Sequence, residues 1–223
     1  MSESPLATQV LFHLGPLALS RAVLTTWALI AVLVCGAWLL TRRLDAHPAR
    51  GQAVLELLLT SIERQISDTM QSDGRPFLPL LGTLFIFLVF ANLSSVVPGV
   101  RPPTASLETA AALAGIVFLA VHVYGIRRRG LRAYLAAYAK PTVIMLPLNV
   151  FSEITRHFSL MIRLFGNLLS GEFVIVTVLA LAGLFVPIPL MALEILIGLI
   201  QAYIFTVLAT VFIGAGIGSI ERG

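Results

Sequence analysis

Long charge-free apolar runs dominate the chain. Ala22 to Leu40, Phe77 to Val100 and Thr109 to Ile126 contain no charged residue, and a helix needs about 20 apolar residues to cross ~30 Å of hydrocarbon. Membrane spans are therefore predicted at 22–40, 77–100 and 109–126. Pro79, Gly82 and Gly115 interrupt them, as membrane helices tolerate. Between the first two runs the pattern changes. Leu55, Leu58, Leu59, Ile62, Ile66 and Met70 recur at helical spacing, while Glu56, Glu63, Arg64, Gln65 and Asp68 fill the other positions. Residues 50–70 thus read as an amphipathic helix at the interface or packed on a neighbour.

From Thr142 onward the punctuation decides. Gly183, Pro187 and Pro189 break a long apolar stretch, and closely spaced prolines suit the start of a helix better than its interior. Two long helices follow, 142–182 and 188–220, roughly 60 and 50 Å at 1.5 Å per residue. Both exceed the bilayer core, so they must tilt far beyond the usual ~20° or run partly along the membrane. The expected architecture is a single all-α polytopic membrane domain over 1–223. It has five membrane-embedded helices and one interfacial helix, the last two forming a strongly tilted hairpin.

Composition narrows the class further. With 58% hydrophobic and 12% charged residues and a mean hydropathy of +0.95, the chain lacks the polar cover of a water-soluble domain. The composition excludes disorder, collagen and a disulfide scaffold. Cys35 is the lone cysteine and reads as a small buried hydrophobe. The net charge of +4 does not point to nucleic acid, because the arginines cluster at the ends of apolar runs.

Arginine counts set the orientation. Arg42, Arg43 and Arg50 follow the first span; Arg127, Arg128, Arg129, Arg132 and Lys140 follow the third; Arg101 alone follows the second. The N-terminus is expected outside and the C-terminus in the cytoplasm. No transit peptide or cleavable signal is recognised before the first span, and arginine replaces nearly every lysine. The arginine usage fits a GC-rich bacterial genome, while the missing transit peptide also permits an organelle-encoded chain; the expected location is a bacterial plasma (inner) membrane.

The last third carries Glu153, Arg156, Arg163, Glu172 and Glu194 in apolar surroundings. An ionisable group at mid-bilayer costs ~2.5–3.5 kcal/mol on insertion scales and marks function by default. Glu153 and Arg156, three apart, can neutralise one another. His122, His157, Asn92 and Asn149 read as satisfied polar residues between helices. Arg163 differs: it lies mid-helix, remains protonated, and cannot easily reach water. About a turn near Gly183, Arg163 falls level with Gln201, and Glu172 with Glu194. Asn167 is one turn from Arg163, while Glu172, nine residues on, points the opposite way.

Arg163-Leu164-Phe165-Gly166-Asn167, then Gly171-Glu172, Glu194 and Gln201-Ala202-Tyr203-Ile204-Phe205, closely resemble subunit a of F-type ATP synthases. Pro147-Leu148-Asn149, Asn92-Leu93 before Pro98, and Pro103-Thr104-Ala105 extend the likeness along the chain. The resemblance implies a non-catalytic stator beside a ring of c subunits and a peripheral stalk containing subunit b. It implies two offset half-channels for H+ or Na+, with Arg163 as the essential arginine, Asn167 and Gln201 its polar neighbours, and Glu172 and Glu194 the half-channel positions. Bacterial relatives usually pair Glu with His there; this chain has Glu twice. No nucleotide-binding loop, metal-ligand cluster or nucleophile–base pair is visible, so no cofactor is expected and ATP chemistry falls to other subunits. A self-contained transporter would need an inverted repeat, which the first half does not supply. A pure scaffold gains nothing from Arg163.

Overall fold

The computed structural model describes residues 10–14, 17–42, 50–96, 102–139, 142, 144–183 and 186–218. Arg43, Pro98, Arg101 and Lys140 lie outside them, as do the ends of two expected runs, 97–100 and 219–220. Among the described residues the regular structure is helical apart from a short antiparallel hairpin, β1 (Val10–Leu14) and β2 (Leu17–Ser20), which the apolar pattern does not announce. Seven helices follow among the described residues: α1 (Arg21–Thr41), α2 (Arg50–Met70), α3 (Leu78–Leu93), α4 (Leu107–Arg129), α5 (Leu131–Tyr138), α6 (Met145–Ala182) and α7 (Pro187–Ile217).

Four helices, α1, α4, α6 and α7, are long and apolar enough to cross a membrane, and α3 is a shorter apolar helix. The 77–100 run thus shortens to a helix ending at Leu93, followed by a single turn at Ser94–Val96. Local chemistry explains the stop. The Ser94 and Ser95 hydroxyls donate to the carbonyls of Ala91 and Asn92, competing with continued helix. The loop expected after the third span instead contains α5. Its signal is present in Leu131, Tyr134, Leu135 and Tyr138, which share a helical face.

Caps explain the other boundaries. Ser106 accepts the Thr109 N–H at the start of α4, and three arginines occupy that helix's last turn, complementing its dipole. Gly130 ends it at a φ of 80°, and Gly183 ends α6 at a φ of 82°, a region L side chains avoid. Pro187 then opens α7, where its missing N–H costs nothing.

The core joins α3 (Leu81, Leu84, Leu88), α4 (Leu113, Val117, Val121), α6 (Leu160, Leu164, Leu168) and α7 (Phe205, Ile213), with Ile62, Ile66 and Met70 of α2 against it. Small residues, Ala110, Ala114, Ala202 and Ala209, are fully or nearly buried, as close helix packing in lipid requires. The outer surfaces are apolar. Only 11% of Met145–Leu181 is buried and none of Ala22–Leu39, which suits lipid and not water. Cys35, expected buried, lies exposed on α1, because that helix packs little against the rest.

Candidate functional site

α6 and α7 pack on one another, and their ionisable groups divide between two surroundings. Leu160, Leu164 and Leu168 form the buried stripe of α6. Arg163 stands on its outer flank, exposed beside the exposed Phe158 and Ile162. Among the described residues Arg163 has no hydrogen-bond or ion-pair partner. Asn167, one turn on, is half-buried. Gln201 of α7 is buried, and its Nε2 has no partner. Arg163 and Gln201 are therefore placed differently, one outward and one inward, and no hydrogen bond joins them.

Glu172 and Glu194 are both half-buried, and their carboxyl groups are near enough to interact electrostatically. A β-carbon added at Gly171 would come within 2.9 Å of Glu194 Oε1, 3.2 Å of its Cδ and 3.3 Å of its Cγ. Glu194 thus lies flat on the backbone of α6 in a space that only glycine leaves. This seat was not recognised from sequence, although Gly171 directly precedes Glu172.

A buried polar cluster fixes α7 about one turn beyond Glu194. Asn92 Nδ2 donates to the Gly198 carbonyl at 2.7 Å, and Thr104 Oγ1 donates to Asn92 Oδ1 at 2.9 Å. A β-carbon on Gly198 would sit 2.9 Å from Asn92 Cβ, so this approach also depends on glycine. Asn92, expected to be a satisfied polar residue, uses both ends of its amide.

The other expected polar residues lie toward the start of α6 and, for His122, on α4. Asn149 Nδ2 donates to the Tyr138 carbonyl at 2.8 Å. Glu153 faces Arg156 at 3.9 Å, a loose neutralising pair. His122 uses Nδ1 on the Phe118 carbonyl. His157 uses Nδ1 on the Glu153 carbonyl, while its buried Nε2 is unpaired among aromatic rings. No group of three or more His, Cys, Asp or Glu able to hold a metal ion occurs among the described residues.

Apolar outer surfaces, an outward guanidinium and two carboxyls between adjoining helices define a membrane protein built around ionisable groups. The sequence matches the ATP synthase A chain family over residues 23–214, and the chain belongs to that family. It is 63% identical to "ATP synthase subunit a 2" of a Bradyrhizobium species over the whole of both chains. It is 45% identical to "ATP synthase subunit a 1" of Chlorobaculum parvum, covering 96% of this chain and 95% of that one. "ATP synthase subunit a 2" of Pelobacter propionicus is 46% identical, with 96% and 94% covered.

Proposed function

We propose that this chain is the ion-translocating stator of the membrane sector of an F-type ATP synthase. It works beside a ring of c subunits and is held by a peripheral stalk containing subunit b. One observation carries the reading: Arg163 is a permanent cation on an apolar outer flank with no hydrogen-bond or ion-pair partner among the described residues. Such a charge is unfavourable against lipid and calls for an anion supplied from outside, which carboxylates of a passing rotor provide.

In this reading five helices (α1, α3, α4, α6 and α7) are membrane-embedded and α2 is interfacial. The N-terminus is outside and the C-terminus cytoplasmic, in a bacterial inner membrane. α6 and α7 form a tilted hairpin against the ring. Glu172 and Glu194 line the two half-channels, and Asn167 on α6 and the inward-facing Gln201 on α7 are polar residues at the level of Arg163. The guanidinium favours the ionised form of a rotor carboxylate, so the bound ion leaves as that carboxylate arrives. The same charge repels ions that would cross directly between cavities. The membrane potential supplies ~2.3 kcal/mol per charge per 100 mV, which offset cavities turn into directional rotation. Nucleotide chemistry belongs to other subunits.

The purified complex in liposomes tests this. The chain should copurify with the ring and stalk, and ATP should drive ion uptake. Uptake without Na+ that collapses with a protonophore assigns H+ as the coupling ion. Sodium-dependent uptake that survives the protonophore assigns Na+. A chain that copurifies with nothing and supports no uptake overturns the proposal.

A further inference from the structure

Where α4, α5, the first turns of α6 and the end of α7 converge, they line a cavity of about 1090 Å3. That is slightly above the ~300–1,000 Å3 usual for ligand pockets. Three guanidinium groups reach it, Arg128 and Arg129 from the last turn of α4 and Arg156 from α6. Arg128 and Arg156 are exposed. Arg129 lies across the α-carbon of Gly218, occupying the space any larger residue there would need. One carboxylate shares the wall, and it is engaged. Glu153 Oε2 is 3.9 Å from Arg156 Nη1, and Oε1 is 3.9 Å from His157 Nδ1. Among the described lining residues three cations stand against one anion, so the cavity disfavours cations and suits an anion.

The neutral lining is chosen to match. The Tyr134 and Tyr138 hydroxyls are 2.9 Å apart. Only one of them can donate to the other, so a second O–H remains to donate elsewhere. The lining also has apolar residues, Val121, Phe212 and Ala215. The charge-free run of α4 ends at Ile126 and three arginines follow, which places the cavity at the level of the membrane–water boundary.

We propose that this cavity binds the phosphate of an anionic phospholipid, its acyl chains lying along the apolar residues. Guanidinium groups match phosphate oxygens in bidentate geometry, and basic pockets between membrane helices take anionic headgroups. Binding here requires only that the chain sit in a membrane and uses nothing of the ion path.

The test measures phospholipid retained by the purified complex after detergent washing, following reconstitution with phosphatidylcholine alone or mixed with phosphatidylglycerol. The wild-type complex and Arg127→Gln, whose side chain does not line the cavity, should retain phosphatidylglycerol. Arg128→Gln combined with Arg156→Gln should retain it roughly 30-fold less tightly, about fivefold per arginine near anionic headgroups. Arg128→Lys with Arg156→Lys keeps the charge and should restore most retention, which separates charge loss from misfolding. Equal retention by wild type and the double glutamine variant overturns the proposal. Release by inorganic phosphate but not by chloride at equal ionic strength makes this a free-phosphate site and also overturns it. Because retention is read without pumping, either result leaves the ion-path proposal separately testable.

Discussion

The Glu194 carboxyl of α7 rests on the α-carbon of Gly171 in α6, with Oε1 2.9 Å from where a β-carbon would lie. This seat holds the Glu194 carboxyl against α6, next to Glu172. Only a residue without a side chain permits this. Gly171→Ala should push the carboxyl aside, a cheap movement because the displaced atoms end a flexible side chain. Helix propensity compensates by about 0.5–1 kcal/mol. Assembly should be unchanged, while ATP-driven pumping falls roughly tenfold, equivalent to about 1.4 kcal/mol on the limiting barrier. Pumping rates and subunit content of the purified variant check both halves.

Gly198→Ala is predicted to behave differently. Its β-carbon would meet Asn92 Cβ at 2.9 Å, an atom fixed to the backbone of α3. Helices α3 and α7 must then separate, at about 1–3 kcal/mol for overpacking. Asn92→Ala loses the bond to the Gly198 carbonyl and strands Thr104, at about 1–2 kcal/mol. Thermal unfolding of the detergent-solubilised complex should show both as destabilised, in contrast to Gly171→Ala.

An alkaline limit to stability should arise at α5. Burial raises the Tyr138 phenol above its ordinary value near 10, and its bond to Tyr134 and the charge of Glu153 add to this. Burial also raises Tyr134, although the bond to Tyr138 opposes it. Groups that hold protons more tightly when folded stabilise fully below the unfolded pKa of about 10 and lose that contribution as pH rises through the folded value. The complex should therefore weaken progressively above about pH 10, and Tyr138→Phe should flatten part of that decline. Thermal midpoints measured across the alkaline range give the comparison.

Separate Glu172→Gln and Glu194→Gln substitutions should each slow pumping and change its pH dependence, since each removes one titrating carboxyl from an interacting pair. Identical pH profiles for wild type and both variants would exclude these groups from the ion path.

Much of the helical framework was legible because lipid contact forces long charge-free runs, and breaks show as Gly183, Pro187 and Pro189. The early end of α3 was not, because hydropathy counts Ser94 and Ser95 as mild while their hydroxyls compete for backbone carbonyls. α5 was hidden by reading Arg132 and the arginines before it as orientation signals before its apolar spacing. The levels of Glu172 and Glu194 followed from the turn alone, yet Gly171's part did not, since a close approach is a property of two helices together. Arg163 and Gln201 share a level by the same count, but facing cannot be read from height, and the structure turns one outward and the other inward.

The most direct measurement is ATP-driven ion pumping by liposomes carrying the assembled complex with Arg163→Lys, beside wild type. Lysine keeps a positive charge but can shed its proton in an apolar setting and lacks the planar fork. If Arg163 is the fixed cation against which the rotor discharges its ion, the variant should assemble normally and pump nothing. Pumping at the wild-type rate by the assembled Arg163→Lys complex would contradict that role.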